Sequence, residues 1–517
     1  MIKEKEESKY WADQVARRIV EKHKKKVYVL RAGLSASGVI HAGKLREPMT
    51  VHFVEKALKN LKKKTKFICY FDDFDRLRKI PSNVPKEWEK YIGMPVCWAP
   101  DPWKCHKSYA KHFIEPFKKE SSKLGIKATF LLESEQYLKC VYKDEIKKAL
   151  LEREELKKIL NKFRETPLEE DWWPAKVFCE ICKKDDTKII DYDKEYTVTY
   201  TCKCDNKKRI LNFSRKGWIK LLWRIETPMK WKFYDTVFEP WGKDHFSPGG
   251  TFDTGKEIAK SVWPFEVPEL VAYNQIRLKG QGVKMSSSQG NVISPTDLLE
   301  IWPVEIIKYI YAGTRPNKEF ALPIDDDFLK VYEDFYFAER IYYGKEKVSK
   351  RDEQHWKRVY EMCITPGKEM PVQPAIKTCI EFLNIFRNTD KAAEKYAEFF
   401  NIKKSKRLKQ IMTCVKNWLE KYAKEDYKFE LQEEPKVILK ENEKKAIKDL
   451  AEFLKEKIKE EELSQELYNI AKKNNLQVPE FFKTCYKVLV NKEHGPRLAP
   501  FILAIGQEKI RKILEKV

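Results

Sequence analysis

The sequence predicts an α/β fold with a parallel sheet, interrupted by a small cysteine-rich insertion and followed by an all-α region. Three observations favour it. Short apolar runs alternate with helical periodicity as far as Asn291, four cysteines cluster between residues 179 and 204, and apolar residues recur at helical spacing from Asp297 onward. With 517 residues, of which 42% are hydrophobic, the chain is long enough for three or four domains.

Three short apolar runs are predicted to be buried strands: Val27 to Leu34, Phe67 to Phe71 and Ala128 to Leu132. A turn of small residues and a helical segment from about His41 to Leu61 follow the first run. The second run ends directly in an acidic cluster, Asp72, Asp73 and Asp75. Because strands that alternate with helices form parallel sheets, we expect functional groups at the carboxyl ends of these strands.

The balance of charges restricts the partners and the compartment. Lys and Arg total 103 against 79 Asp and Glu, giving a formal net charge of +24. Such a surface attracts polyanions, although solvated lysines that keep the protein soluble explain it equally well. No stretch approaches the ~18 to 20 apolar residues of a membrane span, and the opening residues lack the apolar centre of a secretory signal. We therefore expect a cytoplasmic protein with no membrane attachment.

The first chemical motif is GLSASGVIHAGKLRE, Gly33 to Glu47, at the point where a strand is followed by a helix. Small residues in the turn let a ligand approach the backbone, and the helix directs free amide groups at any phosphate placed there. His41 and Lys44, in the first helical turn, are suited to donate to phosphate oxygens. Ordinary tight turns have similar sequences, so this motif by itself does not identify a phosphate-binding site.

The second chemical motif is LKGQGVKMSSSQGN, Leu278 to Asn291. Lys284 on a loop rich in glycine and serine is suited to a polyphosphate, because its ammonium neutralises the charge that builds as pyrophosphate leaves. A flexible surface linker is the alternative interpretation. The two motifs together predict ATP chemistry.

Four cysteines form two close pairs, C-x2-C and C-x-C, separated by nineteen residues: Cys179, Cys182, Cys202 and Cys204. Two pairs of thiolates, each on its own tight turn, suit a closed tetrahedral Zn²⁺ site, which is structural. Four unrelated buried thiols are the alternative. The insertion has too little core to fold alone, and zinc binding worth roughly 10 to 16 kcal/mol can fold it.

These motifs resemble those of the class I aminoacyl-tRNA synthetases. The four residues from His41 to Lys44 look like the HIGH element of that class, and Lys284 to Ser288 look like the KMSKS element. Over nearly the whole chain, further segments are similar to the archaeal-type class I lysyl-tRNA synthetases: FDDFDRLRKIPSNVPKEW, GMPVCWAPDPWKCHKSYAKHF, DWWPAKV, LLWRIETPMKW, FEPWGKDH, RPNKE and KEHGPRLAPFI.

The resemblance implies a ligase that activates lysine with ATP to lysyl-adenylate and pyrophosphate. It then transfers lysine to the terminal adenosine of tRNA(Lys) and releases AMP. Mg²⁺ would accompany the ATP, and His41, Lys44 and Lys284 would be catalytic because they stabilise the triphosphate. Asp244 and His245 would lie near the adenosine or the aminoacyl group. The implied ATP-binding residues are Ser37, Gly38, His41, Gly43, Lys44, Asp244, Lys284, Met285, Ser286, Ser287 and Ser288.

By motif position, the resemblance also implies a lysine pocket lined by Gly33, Ser35, Trp223, His245 and Tyr273. The lysine stem needs apolar or aromatic walls, which Trp223 and Tyr273 suit, although plain core fits the spacing of Trp223 nearly as well. Acceptors for the ammonium remain open among Glu226, Glu239, Asp72, Asp73 and backbone carbonyls. The remaining histidines, such as His52, His106 and His112, default to packing or surface roles.

Two positions depart from the family pattern. Lys44 stands where HIGH has its last histidine, and Ser287 stands where KMSKS has its lysine. We therefore hypothesise that Lys44 supplies the charge that Ser287 lacks.

Five segments are predicted along the chain. They are the first part of a Rossmann-type catalytic domain (1–165), the zinc-binding insertion (166–216), the second part of the catalytic domain (217–295), a helical connecting region (296–345) and an α-helical anticodon-binding domain (346–517). We expect a monomer whose partners are tRNA(Lys), lysine and ATP.

Other functions remain open at this level. A glutamyl- or cysteinyl-type synthetase of class I is the nearest, because the two ATP motifs do not identify the amino acid. A smaller nucleotidyltransferase would have a similar turn after its first strand, but such an enzyme would not need the long helical region. A catalytically idle tRNA-binding relative would keep the basic surface, but the retention of His41 and of the serine-rich loop argues against it.

Overall fold

The computed structural model describes residues 9–82, 84–278, 285, 292–495 and 497–517. The chain divides into two units. The first comprises Met1–Leu298, Val304–Leu322 and Phe337–Lys368, and the second comprises Leu299–Pro303, Pro323–Tyr336 and Glu369–Val517. Within the described ranges, no helix is both long enough and apolar enough to cross a membrane.

A parallel sheet forms the centre of the first unit. The strands along the chain are β1 (Tyr28–Leu34), β2 (Thr65–Phe71), β3 (Thr129–Leu132), β4 (Ala175–Val177), β5 (Thr187–Tyr192), β6 (Thr197–Cys202), β7 (Arg209–Asn212), β8 (Ile219–Leu221), β9 (Thr236–Gly242), β10 (Glu269–Tyr273), β11 (Ile276–Leu278) and β12 (Phe320–Leu322). The central sheet has the order β10-β9-β1-β2-β3, and every pair in it is parallel. The three strands predicted from apolar runs are β1, β2 and β3.

Helices cover the sheet and continue to the end of the chain. Up to residue 363 they are α1 (Trp11–Lys22), α2 (Ala42–Asn60), α3 (Tyr109–Lys123), α4 (Glu133–Leu138), α5 (Lys143–Leu151), α6 (Arg153–Asn161), α7 (Trp223–Phe233), α8 (Thr251–Ser261), α9 (Pro295–Ile301), α10 (Val304–Ala312), α11 (Asp327–Tyr342) and α12 (Lys350–Cys363). Short 3-10 helices span Lys86–Tyr91, Lys243–Phe246 and Glu425–Tyr427.

Strand β1 is buried along almost its whole length, which is typical of a central strand covered on both faces. Arg31 is the charged exception. Its guanidinium lies 3.7 Å from the buried Glu239 carboxylate and over the ring of Tyr70, so the charge is paired inside the core. Because β2, β9 and β10 run in the same direction as β1, their carboxyl ends meet at one edge of the sheet.

The cysteine-rich insertion lies between α6 and α7. Strands β4 and β8 pair in antiparallel fashion at its base, and β5, β6 and β7 form a separate antiparallel sheet. Its core contains fully buried Tyr200 and Phe213. The alternation of burial along β6, in which every second side chain is buried, fits a small sheet with one covered face.

The second unit is helical beyond residue 369, as the sequence predicts. Its helices there are α13 (Ile376–Phe386), α14 (Thr389–Phe399), α15 (Lys406–Lys421), α16 (Glu441–Phe453), α17 (Glu460–Lys473), α18 (Val478–Val490), α19 (Leu498–Ile505) and α20 (Gln507–Leu514). Trp418 of α15 stacks on Phe328 at a ring distance of 4.3 Å. Ile447 and Leu450, two of the apolar residues that recur at helical spacing, are buried in a core that α16 to α20 share.

Candidate active site

A pocket opens at the edge of the sheet where β1, β2, β9 and β10 end. Its cavity has a volume of about 380 Å³. Ligands bind at this position in open parallel sheets, because the loops leaving neighbouring strands diverge there. The lining residues are Gly33, Leu34, Ser35, Lys44, Glu47, Tyr70, Asp72, Asp75, Arg78, Trp223, Glu226, Thr227, Lys230, Trp241, Gly242, His245 and Tyr273.

The first motif forms the turn from β1 into α2. His41 is the N-cap of α2, and its Nδ1 accepts a 3.1 Å hydrogen bond from the N–H of Gly43. Ser37 and Gly38 lie in the turn itself. The Lys44 ammonium donates to the Ser35 carbonyl at 3.2 Å, and burial lowers the pKa of Lys44 to about 8. A phosphate bound at this turn would restore the preference of Lys44 for its charged form.

The second motif approaches the first at Met285, which is buried. A Cβ added at Gly43 would lie 2.9 Å from the His41 ring and 3.5 Å from Cε of Met285. Beyond the loop, the Ile293 carbonyl accepts a 2.7 Å hydrogen bond from the N–H of Ala42. The two motifs therefore meet at the start of α2. Lys284, Ser286, Ser287 and Ser288 lie outside the described residues.

All five residues predicted for the lysine pocket line this cavity. Gly33 is required where β1 passes Tyr70, because a Cβ there would lie 2.3 Å from the Tyr70 ring. Trp223 is 38% exposed and so is a wall of the cavity rather than plain core. The ring of His245 lies 5.5 Å from that of Trp223 and 4.8 Å from that of Trp241.

His245 is positioned by its neighbours. Its Nδ1 lies 3.0 Å from the hydroxyl of Thr251, and burial lowers its pKa. Asp244 precedes it in the 3-10 helix after β9, but it is not among the described residues that line the cavity. His245 therefore lines the pocket, whereas the neighbouring Asp244 does not.

Three of the carboxylates considered for the lysine ammonium are already satisfied. The Glu226 carboxylate lies 2.8 Å from the Lys220 ammonium and 3.0 Å from the Lys230 ammonium. Burial would raise the pKa of Glu226, but these two cations lower it to about 2. Glu239 pairs with Arg31 and accepts from the indole of Trp231. Asp73 accepts from the backbone and the hydroxyl of Ser134.

Three further carboxylates line the pocket, and one of them, Asp75, lies 3.0 Å from the Lys220 ammonium. Asp72 lies 3.8 Å from the Lys230 ammonium, and burial raises its pKa. Glu47 accepts hydrogen bonds from two neutral donors, the N–H of Gly33 at 2.6 Å and the hydroxyl of Tyr273 at 2.7 Å. Burial raises the pKa of Glu47 to about 8. In the described part of the chain Glu47 forms no ion pair, so it is the better candidate for a cationic ligand.

Sequence reasoning did not single out Glu47. It is the last residue of the first motif, six residues after His41. A charged residue on a helix that begins at a phosphate-binding turn is usually exposed to solvent. Only the approach of β10, which brings Tyr273 to the same carboxylate, shows that Glu47 is buried at the pocket.

The four grouped cysteines converge in the insertion, where they could hold one metal ion. Sγ of Cys179 lies 3.8 Å from that of Cys204, and Sγ of Cys182 lies 3.6 Å from that of Cys202. Zn–S bonds of ~2.3 Å place tetrahedral sulfurs about 3.8 Å apart. The geometry therefore fits the predicted four-thiolate site.

A second group of residues of metal-ligand types lies in the segment before α3 and in the first turn of that helix. Asp101, Cys105, His106 and His112 each offer one atom, and these atoms lie within 4.8 Å of one another. The sequence predicted only packing or surface roles for His106 and His112. Their mixed side chains, spaced D-x3-C-H-x5-H, lack the two close pairs that identify the other cluster.

Comparison with known proteins divides the chain into two parts. The family model described as tRNA synthetases class I (K) matches residues 9–365, and the model of an anticodon binding domain matches residues 378–517. A protein of Borreliella burgdorferi named lysine–tRNA ligase is 38% identical over 98% of this chain and 99% of its own length. One of Pyrococcus furiosus with the same name is 39% identical over 96% of this chain and 98% of its own.

Proposed function

The chain belongs to the class I tRNA synthetases of the lysine type, and we propose how its residues join lysine to tRNA. The activity is that of a lysine–tRNA ligase. The lysine carboxylate attacks the α-phosphate of ATP to give lysyl-adenylate and pyrophosphate, and a ribose hydroxyl of the terminal adenosine then displaces AMP. The observation that carries this function is the match to ligases of that name over nearly the whole chain.

The ATP lies at the turn before α2. His41, Lys44 and Lys284 stabilise the triphosphate as pyrophosphate leaves, because positive charge and donors placed there bind the transition state more tightly than the substrate. Ser37, Gly38 and Gly43 let the phosphates approach the backbone. Met285, Ser286, Ser287 and Ser288 of the second motif also bind the ATP, and Asp244 contacts the adenosine. Mg²⁺ supplies further neutralisation of the phosphate charge.

The lysine occupies the cavity at the carboxyl ends of β1, β2, β9 and β10. Gly33 and Ser35 contact its amino and carboxyl end, and the carboxylate thereby faces the ATP turn. Trp223 and Tyr273 form the walls along the stem, and His245 packs beside Trp223. Positioning of the two reactants carries most of the catalysis, so no residue acts as a covalent nucleophile.

Glu47 accepts the lysine ammonium in this proposal. It lines the cavity, and the two groups that bond it in the described structure are neutral. An ammonium beside a buried carboxylate stabilises its charged form, which burial otherwise disfavours. Tyr273 then serves twice, as a wall for the stem and as the donor that orients the carboxylate.

The four cysteines hold a structural zinc ion that the chemistry does not need. Their thiolates stabilise the insertion, whose last strand, β8, carries Lys220 to its partner Glu226. The helices from residue 378 onward, which match an anticodon binding domain, contact the anticodon of tRNA(Lys). We further propose that the protein is a monomer and that it acts in the cytoplasm.

An amino-acid panel in ATP–pyrophosphate exchange tests this function directly. The purified chain is assayed with each standard amino acid, both with and without tRNA(Lys), since some enzymes of the class activate only in its presence. Lysine alone is expected to support exchange. Exchange driven by glutamate or cysteine, or tRNA binding without exchange under either condition, would overturn the proposal.

A further inference from the structure

We propose that Arg46 is a positioning residue for adenylate formation, because it holds the turn from Arg315 to Lys318 and thereby fixes the place at which the second motif begins. Arg46 lies on α2, five residues after His41, and is 3% exposed. It is not among the described residues that line the cavity, so it acts through its neighbours in the fold rather than by contact with the lysine. This role rests on the ATP chemistry proposed above for the two motifs.

The guanidinium of Arg46 bonds the backbone of this turn at both of its ends. Its Nη2 donates to the carbonyl of Arg315 at 2.9 Å and to the carbonyl of Lys318 at 2.7 Å. The N–H of Lys318 donates to the same Arg315 carbonyl at 3.0 Å, which closes the turn. A single nitrogen of Arg46 therefore joins the first and the last residue of the turn to α2.

Asn274, the residue after β10, holds the two carbonyls in the middle of the turn. Its N–H donates to the Pro316 carbonyl at 2.8 Å, and its Nδ2 donates to the Asn317 carbonyl at 3.1 Å. All four consecutive carbonyls of the turn thus accept hydrogen bonds from α2 or from the end of β10. The backbone of the turn is fixed between two elements that border the proposed lysine pocket.

The turn leads directly into the strand that supports the start of the second motif. Strand β12 begins at Phe320 and pairs in parallel with β11, whose last residue, Leu278, is the first residue of the second motif. Each strand has three residues, and two such strands are not stable by themselves. The guanidinium of Arg46 lies over the Phe320 ring at 4.8 Å. Arg46 therefore supports β12 where it begins and, through β12, fixes Leu278.

The far end of the second motif is joined to the same helix. The Ile293 carbonyl accepts from the N–H of Ala42, the first residue of α2, and the hydroxyl of Tyr311 donates to the Ala42 carbonyl at 2.9 Å. The ring of Tyr311 also meets that of Phe320 edge-on at 6.0 Å. Because misplacement of a catalytic group by about 1 Å can cost on the order of 100-fold in rate, a small shift at either end should slow the reaction.

A role in stability alone is the alternative, and the electrostatics of Arg46 argue against it. In the described part of the chain Arg46 forms no ion pair, and its buried Nη1 has no hydrogen-bond partner. Burial lowers the pKa of Arg46 to about 10, so the side chain is charged at neutral pH. A buried charge with no carboxylate beside it is costly, so an apolar side chain of similar length would stabilise the fold at least as well. Such a side chain would lack the two hydrogen bonds to the turn.

Two substitutions in the purified full chain test the positioning role. Arg46→Met fills similar space without donors, so single-turnover formation of lysyl-adenylate should slow by about 10- to 100-fold, while the KM for lysine and the Tm change little. Arg46→Lys can donate to both carbonyls and should restore most of the rate. Arg215→Met, at an exposed arginine of the same unit, is the matched control. An unchanged rate in Arg46→Met, or a slower rate together with a large fall in Tm, would overturn the proposal.

Two further measurements separate positioning from a general loss of structure. Transfer of lysine from enzyme-bound adenylate to tRNA(Lys) releases no pyrophosphate, so Arg46→Met should leave the rate of this step unchanged. Amide hydrogen exchange in β11 and β12 should be faster in Arg46→Met and return towards the original rate in Arg46→Lys. Equal slowing of both chemical steps, or unaltered hydrogen exchange in the two strands, would contradict the positioning role. Failure of the proposed function would look different: the unchanged protein would show no lysine-dependent pyrophosphate exchange, whereas the hydrogen-exchange result does not depend on activity.

Discussion

The hydroxyl of Tyr273 donates a 2.7 Å hydrogen bond to Oε2 of Glu47, joining the end of β10 to helix α2 at the pocket. The other oxygen of Glu47 accepts from the N–H of Gly33 at the end of β1. The consecutive elements β1 and α2 and the distant strand β10 thus fix one buried carboxylate. Its position at the cavity is the basis for the proposal that Glu47 accepts the ammonium of the lysine substrate.

Replacing Glu47 should weaken lysine binding specifically. Glu47→Gln keeps the shape of the side chain but removes its charge, so the KM for lysine should rise by about 10- to 100-fold, the range expected for a lost charge-assisted hydrogen bond. The KM for ATP should stay the same. Exchange kinetics with lysine as the varied substrate measure the effect, and Glu87→Gln, an exposed residue of the same unit, is the control. An unaltered KM for lysine would mean that another group accepts the ammonium.

The pKa of Glu47 predicts the pH dependence of lysine binding. Burial raises this pKa to about 8, so in the free pocket the carboxyl is protonated below that pH. The lysine ammonium binds the carboxylate, and binding below pH 8 must therefore release a proton. The KM for lysine should fall as the pH rises from 6 to 8, by at most about tenfold per unit, and then level off. Glu47→Gln should lose this slope, and a slope that survives the substitution would assign it to another group.

Lys44 should act on ATP rather than on lysine. Lys44→Ala removes an ammonium from the turn, so adenylate formation should slow on the order of 100-fold with little change in lysine binding. Single-turnover formation of lysyl-adenylate measures the first effect, and the KM for lysine measures the second. Lys66→Ala, exposed on β2, is the matched control. Unchanged exchange kinetics in Lys44→Ala would sink the hypothesis that Lys44 replaces the missing lysine of the second motif.

The lowered pKa of Lys44 predicts a pH effect of opposite direction. Burial lowers it to about 8, so the ammonium loses its proton as the pH rises above that value. Because phosphate binds the charged form, the KM for ATP should increase from pH 8 to 9. Lys44→Ala should have a high KM for ATP without this dependence. If the unchanged enzyme binds ATP equally well at pH 7 and pH 9, the ammonium does not contact the nucleotide.

Loss of a thiolate from the four-cysteine cluster should destabilise the insertion. Cys182→Ser is expected to lose one zinc ion and to lower the Tm by several degrees, because zinc binding supplies much of the folding free energy of a small domain. Limited proteolysis should cut first between residues 175 and 221, where the metal no longer joins the two turns. Calorimetry and mass spectrometry measure these changes against Cys140→Ser. Equal Tm values and cleavage patterns would show that the cluster is not a structural site.

The sequence by itself determined the strands β1, β2 and β3, the helix after the first motif, the helical second unit and the four grouped cysteines. These features are local: periodicity, a turn of small residues or a short spacing between cysteines identifies each of them. The family, too, was readable from segments that keep their order along the chain. His41 could be proposed from its place in the first motif, whereas Tyr273 was proposed only because the chain resembles that family.

Only the tertiary structure decided between the carboxylates and revealed the second group of metal-ligand types. Glu226 and Glu239 look available in sequence, but Lys220 and Arg31 neutralise them after folding. Glu47 becomes a buried acceptor because β10 reaches α2 from 226 residues away. Whether a charge is paired, and whether donor atoms converge, depends on contacts between distant segments. Periodicity and spacing along the chain carry no information about them.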